Sequence, residues 1–161
     1  MKKEKHKKTN AMRILDTQGI AYEVLEYEWE EGHGTGVHAA EALGLRTEQV
    51  FKTLVAIGTT TGPVVFCIPV AEELNLKHAA RVSGNKSIDL VHVKDLEKLT
   101  GYVRGGCSPV GMKKLFPTYF HKSMQEQDCI YISGGKRGMQ IKVNPQKLAS
   151  VVDAHFEDII M

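Results

Sequence analysis

Two glycine-rich segments place the strongest constraint on how this 161-residue chain folds. One runs Gly101-Tyr-Val-Arg-Gly-Gly-Cys-Ser-Pro-Val-Gly111, the other Ser133-Gly-Gly-Lys-Arg-Gly138. Each sets glycines beside basic or hydroxyl residues, between apolar runs. Segments of this kind bring bare backbone and a few chosen side chains up to a ligand. Upstream, Val50-Phe-Lys-Thr-Leu-Val55 interrupts an apolar run with a lysine. The three together predict a polar pocket in a small domain of helices and strands, reading something anionic.

The elements around these segments are short. Thr9 is placed as the N-cap of a first helix carrying Met12, Ile14 and Leu15, which stops at Gly19. Ile20 to Glu28 alternates apolar and polar residues and reads as a strand. Gly32 to Gly36 reads as a flexible loop, and Val37 to Leu43 as a short helix stopped by Gly44. Phe51–Ile57 and Val64–Pro69 read as a hairpin. Helices are expected from Asn75 to near Gly84 and from Lys94 to Leu99. Strands are expected at Thr118–His121, Cys129–Ser133 and Met139–Val143. Asn144-Pro145 starts a last helix with Leu148, Val151, Val152, Phe156 and Ile159 on one stripe, running to Ile160. Helices and antiparallel hairpins mix without βαβ repeats. The expected fold is a single α+β domain with a mixed, barrel-like sheet flanked by helices.

Composition narrows the function. The net charge of +2 excludes a strongly basic nucleic-acid coat, and much of the positive excess lies in Lys2, Lys3, Lys5, Lys7 and Lys8. Residues 1–8 read as a flexible basic arm and residues 9–161 as the folded domain. Cys67, Cys107 and Cys129 are widely spaced and form no CxxC pair, against a zinc ribbon or redox motif. Cys67 and Cys129 read as reduced core residues, which points to the cytoplasm. No signal peptide is visible, and no apolar stretch reaches the length of a membrane span.

Each candidate site has a plain structural reading beside the functional one. Spacing alone favours Lys52 as the solvent-facing member of an alternating strand; the alternative is a partly buried cation gripping a phosphate or polarising an ester. The Gly105-Gly-Cys-Ser-Pro109 loop reads as a tight connection or as backbone N–H donors for a carbonyl. Ser108 lacks the glycine two residues on that a nucleophile elbow needs. Lys136 and Arg137 sit at a hairpin tip, solvated or gripping an RNA backbone. No Walker A loop, dinucleotide fingerprint, metal-ligand spacing or Ser-His-Asp set can be assembled.

Val50-Phe-Lys-Thr-Leu, the Gly101–Gly111 loop and Ile132-Ser-Gly-Gly-Lys-Arg-Gly138 together resemble the YbaK/EbsC family of aminoacyl-tRNA deacylases, in the family's order and over essentially the whole chain. The resemblance implies trans-editing of mischarged tRNA. A synthetase pocket separates cysteine from proline poorly, so a second site removes the error. It further implies a Cys-tRNA(Pro) deacylase, acting also on Cys-tRNA(Cys), in which the substrate's thiol attacks its own ester. No cofactor or metal is implied. The implied partners are the tRNA(Pro) acceptor end and prolyl-tRNA synthetase, with no membrane. By the same resemblance Lys52 sits beside the terminal adenosine and the ester, and the backbone of Gly105, Gly106 and Ser108 holds the aminoacyl carbonyl. Tyr27, Thr53, Ser133 and Gln140 line the pocket, and Lys136 and Arg137 face the tRNA. One departure stands out: Gln140 occupies a position where the YbaK-type pattern has an acid. The alternatives are an Ala-tRNA(Pro) deacylase using water and the tRNA 2′-OH, or a non-catalytic tRNA- or synthetase-binding adaptor.

Overall fold

The computed structural model describes residues 8–30 and 36–161. The basic arm lies outside the described residues except for Lys8, whose ammonium pairs with Asp16. The Gly32 to Gly36 loop lies outside them except for Gly36, which opens a helix.

Helices α1 (Asn10–Thr17), α2 (Gly36–Leu43), α3 (Leu76–Val82), α4 (Val93–Thr100) and α5 (Pro145–Val152) surround eight strands. The strands are β1 (Tyr22–Glu26), β2 (Phe51–Gly58), β3 (Gly62–Pro69), β4 (Ile88–Leu90), β5 (Thr118–His121), β6 (Ile130–Ser133), β7 (Met139–Val143) and β8 (His155–Glu157). Thr9, Asn75 and Asn144 cap their helices by accepting backbone N–H groups through their side-chain oxygens, as their residue types lead one to expect.

The strands form two sheets. One is antiparallel, ordered β1-β7-β6; the other is mixed, ordered β4-β2-β3-β5-β8. β3 pairs with β5, and β5 with β8, in parallel. A single parallel bridge, Val50 to Tyr131, ties the first sheet to the start of β2. The sheet thus curls toward the expected barrel shape but stays split beyond that bridge.

β3 is buried on both faces, which explains its unbroken apolar run. Val65 and Cys67 join a large core with Met12, Leu15, Phe120, Ile132, Ile141 and Leu148, under α1 and α5. Val64, Phe66 and Ile68 join a second core with Ala79 and Ala80 of α3 and Ile159.

Three features differ from the sequence reading. The last helix ends at Val152, not Ile160, because Asp153 takes a left-handed conformation (φ 55°, ψ 43°). Phe156 therefore sits on β8, paired with Phe120. Asp adopts that region more readily than most residues, so no glycine marks the stop. Strand β4 is too short to show a period. Cys129 is only half-buried, just before β6, whereas Cys67 and Cys107 are buried.

Asn85 fixes the β2–β3 turn to the end of α3. Its Oδ1 accepts the N–H groups of Thr60 (2.8 Å) and Thr61 (3.0 Å), and its Nδ2 donates to Ser83 Oγ (2.9 Å). Gly58 leaves room for this side chain, which a Cβ there would overlap. Asn85→Ala is expected to cost about 2 kcal/mol and to lower Tm by about 4–8 °C. Thermal unfolding followed by circular dichroism checks this; an unchanged Tm contradicts it.

Candidate active site

Beyond the Val50–Tyr131 bridge, β6 and β2 diverge. β4 rejoins that edge of β2 only from Ala56 to Gly58. Phe51, Lys52, Thr53 and Leu54 are left without a strand partner on this side, and all four line a cavity of about 300 Å³. The opposite walls come from Tyr27, Trp29, Ser133 and Gln140, and from Arg104, Gly105 and Cys107 of the first glycine loop. Gly36 and Val37 at the start of α2, with Val70, close another side.

Lys52 is half-buried in this wall, not solvated as strand spacing alone favoured. Burial lowers its pKa from the ordinary lysine value, while the charges of Glu73 and Glu72 partly restore it. An anion entering the cavity would relieve the same desolvation. Thr53 Oγ1 lies 3.5 Å from Cys67 Sγ. Ser133 and Gln140 face each other across the β6–β7 pair. Ser133 Oγ accepts the Gly135 N–H at 3.1 Å. Gln140 is buried, and its Oε1 has no hydrogen-bond partner. Tyr27 is half-buried beside Gln140, and burial raises its hydroxyl pKa.

Gly105 lines the cavity, but Gly106 and Ser108 do not. The Gly106 N–H is engaged with Val103 O at 3.0 Å. The Ser108 hydroxyl is buried and accepts the Val110 N–H at 3.1 Å. Cys107 lines the cavity, and burial pushes its thiol up to about 12. It is therefore protonated at neutral pH.

The two glycine segments pack against one another. A Cβ on Gly106 would lie 2.9 Å from Arg137 N and 3.0 Å from Lys136 Cα. Arg137 Nε donates to Arg104 O at 2.9 Å, and its guanidinium carbon sits 4.2 Å from the centre of the Trp29 ring. Lys136 is exposed. The start of α1 ties down both segments: Thr9 Oγ1 donates to Gly134 O (2.6 Å) and Asn10 Nδ2 to Gly111 O (3.0 Å). Trp29, Arg104 and Cys107 are wall residues that sequence reasoning did not select. The signal for Trp29, its place just past an alternating strand and two residues from Tyr27, went unread.

A Ser-His-Asp array does exist, away from the cavity. His121 Nδ1 lies 2.8 Å from Ser123 Oγ and accepts the Ser123 N–H at 3.2 Å, while Nε2 lies 3.5 Å from Asp158 Oδ1. The ring caps the 3₁₀ turn Lys122–Glu126, so both nitrogens serve structure. Among the described residues no group of three His, Cys, Asp or Glu side chains is placed to hold a metal ion. No helix among them is long and apolar enough to cross a membrane.

The site is a cleft in a single α+β domain, opened where its two sheets part. The model of the aminoacyl-tRNA editing domain matches residues 30–151. A protein of Enterococcus faecalis (strain ATCC 700802 / V583), named "Putative Cys-tRNA(Pro)/Cys-tRNA(Cys) deacylase EbsC", is 48% identical over 158 residues, covering 98% of this chain and 96% of its own. The chain belongs to the aminoacyl-tRNA editing domain family. Among solved structures, one described as "a putative trans-editing enzyme for prolyl tRNA synthetase" superposes with a TM-score of 0.82 at 25% identity, over 94% of this chain and 95% of that one. The hypothetical protein APE2540 gives a TM-score of 0.86 at 21% identity, over 95% and 100%, and shares the fold.

Gly106→Ala pushes a methyl group into the backbone of Lys136 and Arg137. A cost of roughly 1–3 kcal/mol is expected as the two loops part. Thermal melts of the variant should show a lower Tm; a wild-type Tm would mean that the loops tolerate the methyl.

Proposed function

We propose that this protein is a deacylase that removes cysteine from mischarged Cys-tRNA(Pro), and also from Cys-tRNA(Cys). The activity for which the Enterococcus faecalis relative is named, and the shared family, support this reading. The observation that carries the mechanism is a half-buried ammonium, Lys52, in a wall whose own thiol, Cys107, stays protonated. The wall thus holds no ionised sulfur, and the Ser108 hydroxyl is buried behind it, hydrogen-bonded to Val110 N. The substrate brings the missing nucleophile.

In this mechanism the cysteinyl thiol loses its proton, and its sulfur attacks the ester carbonyl carbon of the same residue. A carbon–sulfur bond forms and the carbon–oxygen bond to the terminal ribose breaks. The ribose oxygen takes up a proton, so the products are cysteine thiolactone and uncharged tRNA. Lys52 favours the thiolate and the negative charge gathering on oxygen. Close fixation of the two reacting atoms supplies much of the acceleration. Backbone of the Gly105 loop holds the aminoacyl carbonyl; Gly106 and Ser108 act by shaping that loop. Tyr27, Thr53, Ser133 and Gln140 bound the aminoacyl group. Lys136 faces the acceptor end. With a net charge of only +2, the chain has little electrostatic hold on tRNA by itself. A transient complex with prolyl-tRNA synthetase would deliver the substrate.

Purified protein incubated with Cys-tRNA(Pro), Ala-tRNA(Pro) and thiol-alkylated Cys-tRNA(Pro) tests the reading. Rapid loss of cysteine alone, abolished by alkylation, is expected. Release of alanine or of the alkylated residue would mean that water attacks. No release above background would leave only the adaptor.

The pH profile follows from Lys52. The rate should rise as the substrate thiol ionises, below its ordinary pKa of about 8.5 because the Lys52 ammonium favours the thiolate. It should then fall as Lys52 loses its proton, at a pH below the ordinary lysine value of 10.5 because burial lowers its pKa. In Lys52→Arg the falling limb should disappear, since arginine stays charged. An identical falling limb in that variant would assign it to another group.

A further inference from the structure

Trp29 is the single tryptophan of the chain. It is half-buried and lines the cavity, at the meeting point of three segments. A Cβ on Gly105 would come within 3.0 Å of its indole Nε1, and a Cβ on Gly138 within 3.7 Å of its Cβ. The Arg137 guanidinium stacks on the ring at 4.2 Å, while Nε of the same side chain is tied to Arg104 O. Trp29 belongs to the cavity lining and Arg137 does not. Arg137 thus stacks on the ring of a lining residue without itself lining the cavity. Arg104, on the same lining, is exposed. Lys52 stands half-buried in the wall and Lys136 is exposed on the hairpin turn.

A held aromatic ring surrounded by cations is the composition by which proteins take the end of a single-stranded nucleic acid: bases stack on the ring and cations follow the phosphates. Core packing would not require this arrangement, since Trp29 belongs to none of the three buried clusters.

We infer that Trp29 is the platform on which the terminal nucleobase of the acceptor end stacks, with Arg137 fixing its plane. This rests on the reading of the ligand as aminoacyl-tRNA. Stacking places the terminal ribose, and the ester it carries, at a set depth beside Lys52. Trp29 is thus a positioning residue: it touches the base and not the reacting atoms. Discrimination by stacking tolerates any base but requires that one be present.

The test uses the whole chain and two probes, the trinucleotide CCA and the same molecule with an abasic terminal ribose. Wild-type protein should bind CCA on the order of 10- to 100-fold more tightly than the abasic probe. CCA alone should quench the fluorescence of the single tryptophan. Trp29→Phe should keep much of the preference, and Trp29→Leu should lose it, binding both probes equally. A merely structural tryptophan would weaken both probes alike. Equal binding of the two probes by wild type, or no quenching by CCA, overturns the inference, and neither outcome needs a variant to fold. With Cys-tRNA(Pro), Trp29→Leu should raise KM at least about tenfold with a smaller change in kcat. Wild-type turnover with an unchanged KM in the variant overturns this inference and leaves the deacylase reading intact. Absence of wild-type turnover defeats the deacylase reading, while the fluorescence titration still decides this one.

Discussion

The single bridge between Val50 and Tyr131 decides the architecture of the site. It holds β2 and β6 together at one point and lets them part immediately afterwards. Backbone groups on an unpaired strand edge need partners. Over most sheets a neighbouring strand supplies them. Here, from Phe51 to Leu54, the gap is instead the wall of a cavity. Both cores pack against β2 and β3, so the unpaired edge is backed by buried side chains. A ligand meets a fixed line of backbone with Lys52 set into it.

The glycine segments complete that cavity by packing as well as by exposing backbone. Gly106 lets the first loop rest against the Lys136–Arg137 backbone, and the start of α1 ties both loops to the folded body. Rigidity matters because a reaction within one substrate gains its rate from held geometry. The same economy explains the chemistry of the wall. Burial keeps the Cys107 thiol protonated and lowers the pKa of Lys52, leaving an ammonium whose charge is poorly solvated until an anion arrives. The protein offers a shaped space and a charge, and relies on the ligand for the nucleophile.

Much of this was legible in the sequence. The caps at Thr9, Asn75 and Asn144, the β2–β3 hairpin and the α+β class all followed from local chemistry and period. The choice of Lys52, Gly105, Ser133 and Gln140 as wall residues came instead from the family resemblance that the three motifs carry, since spacing alone put Lys52 in solvent. The split of the sheet did not follow, because one bridge leaves no mark on period. Nor did the short α5: Asp153 enters the left-handed region without a glycine to announce it. The Trp29 ring was passed over because its partners, Gly105 and Arg137, lie far along the chain.

The sequence by itself determined most of the helices, strands and bare loops, though not β4 or β8, because capping, alternation and glycine act over a few residues. Tertiary structure alone decided what those segments face. Lys52 is half-buried because it is set into a cavity whose other walls come from distant segments, and the Gly106 N–H is occupied because its loop folds back on Val103. Exposure, hydrogen-bond partners and pKa depend on groups brought together from distant parts of the chain. Local pattern carries no record of those encounters.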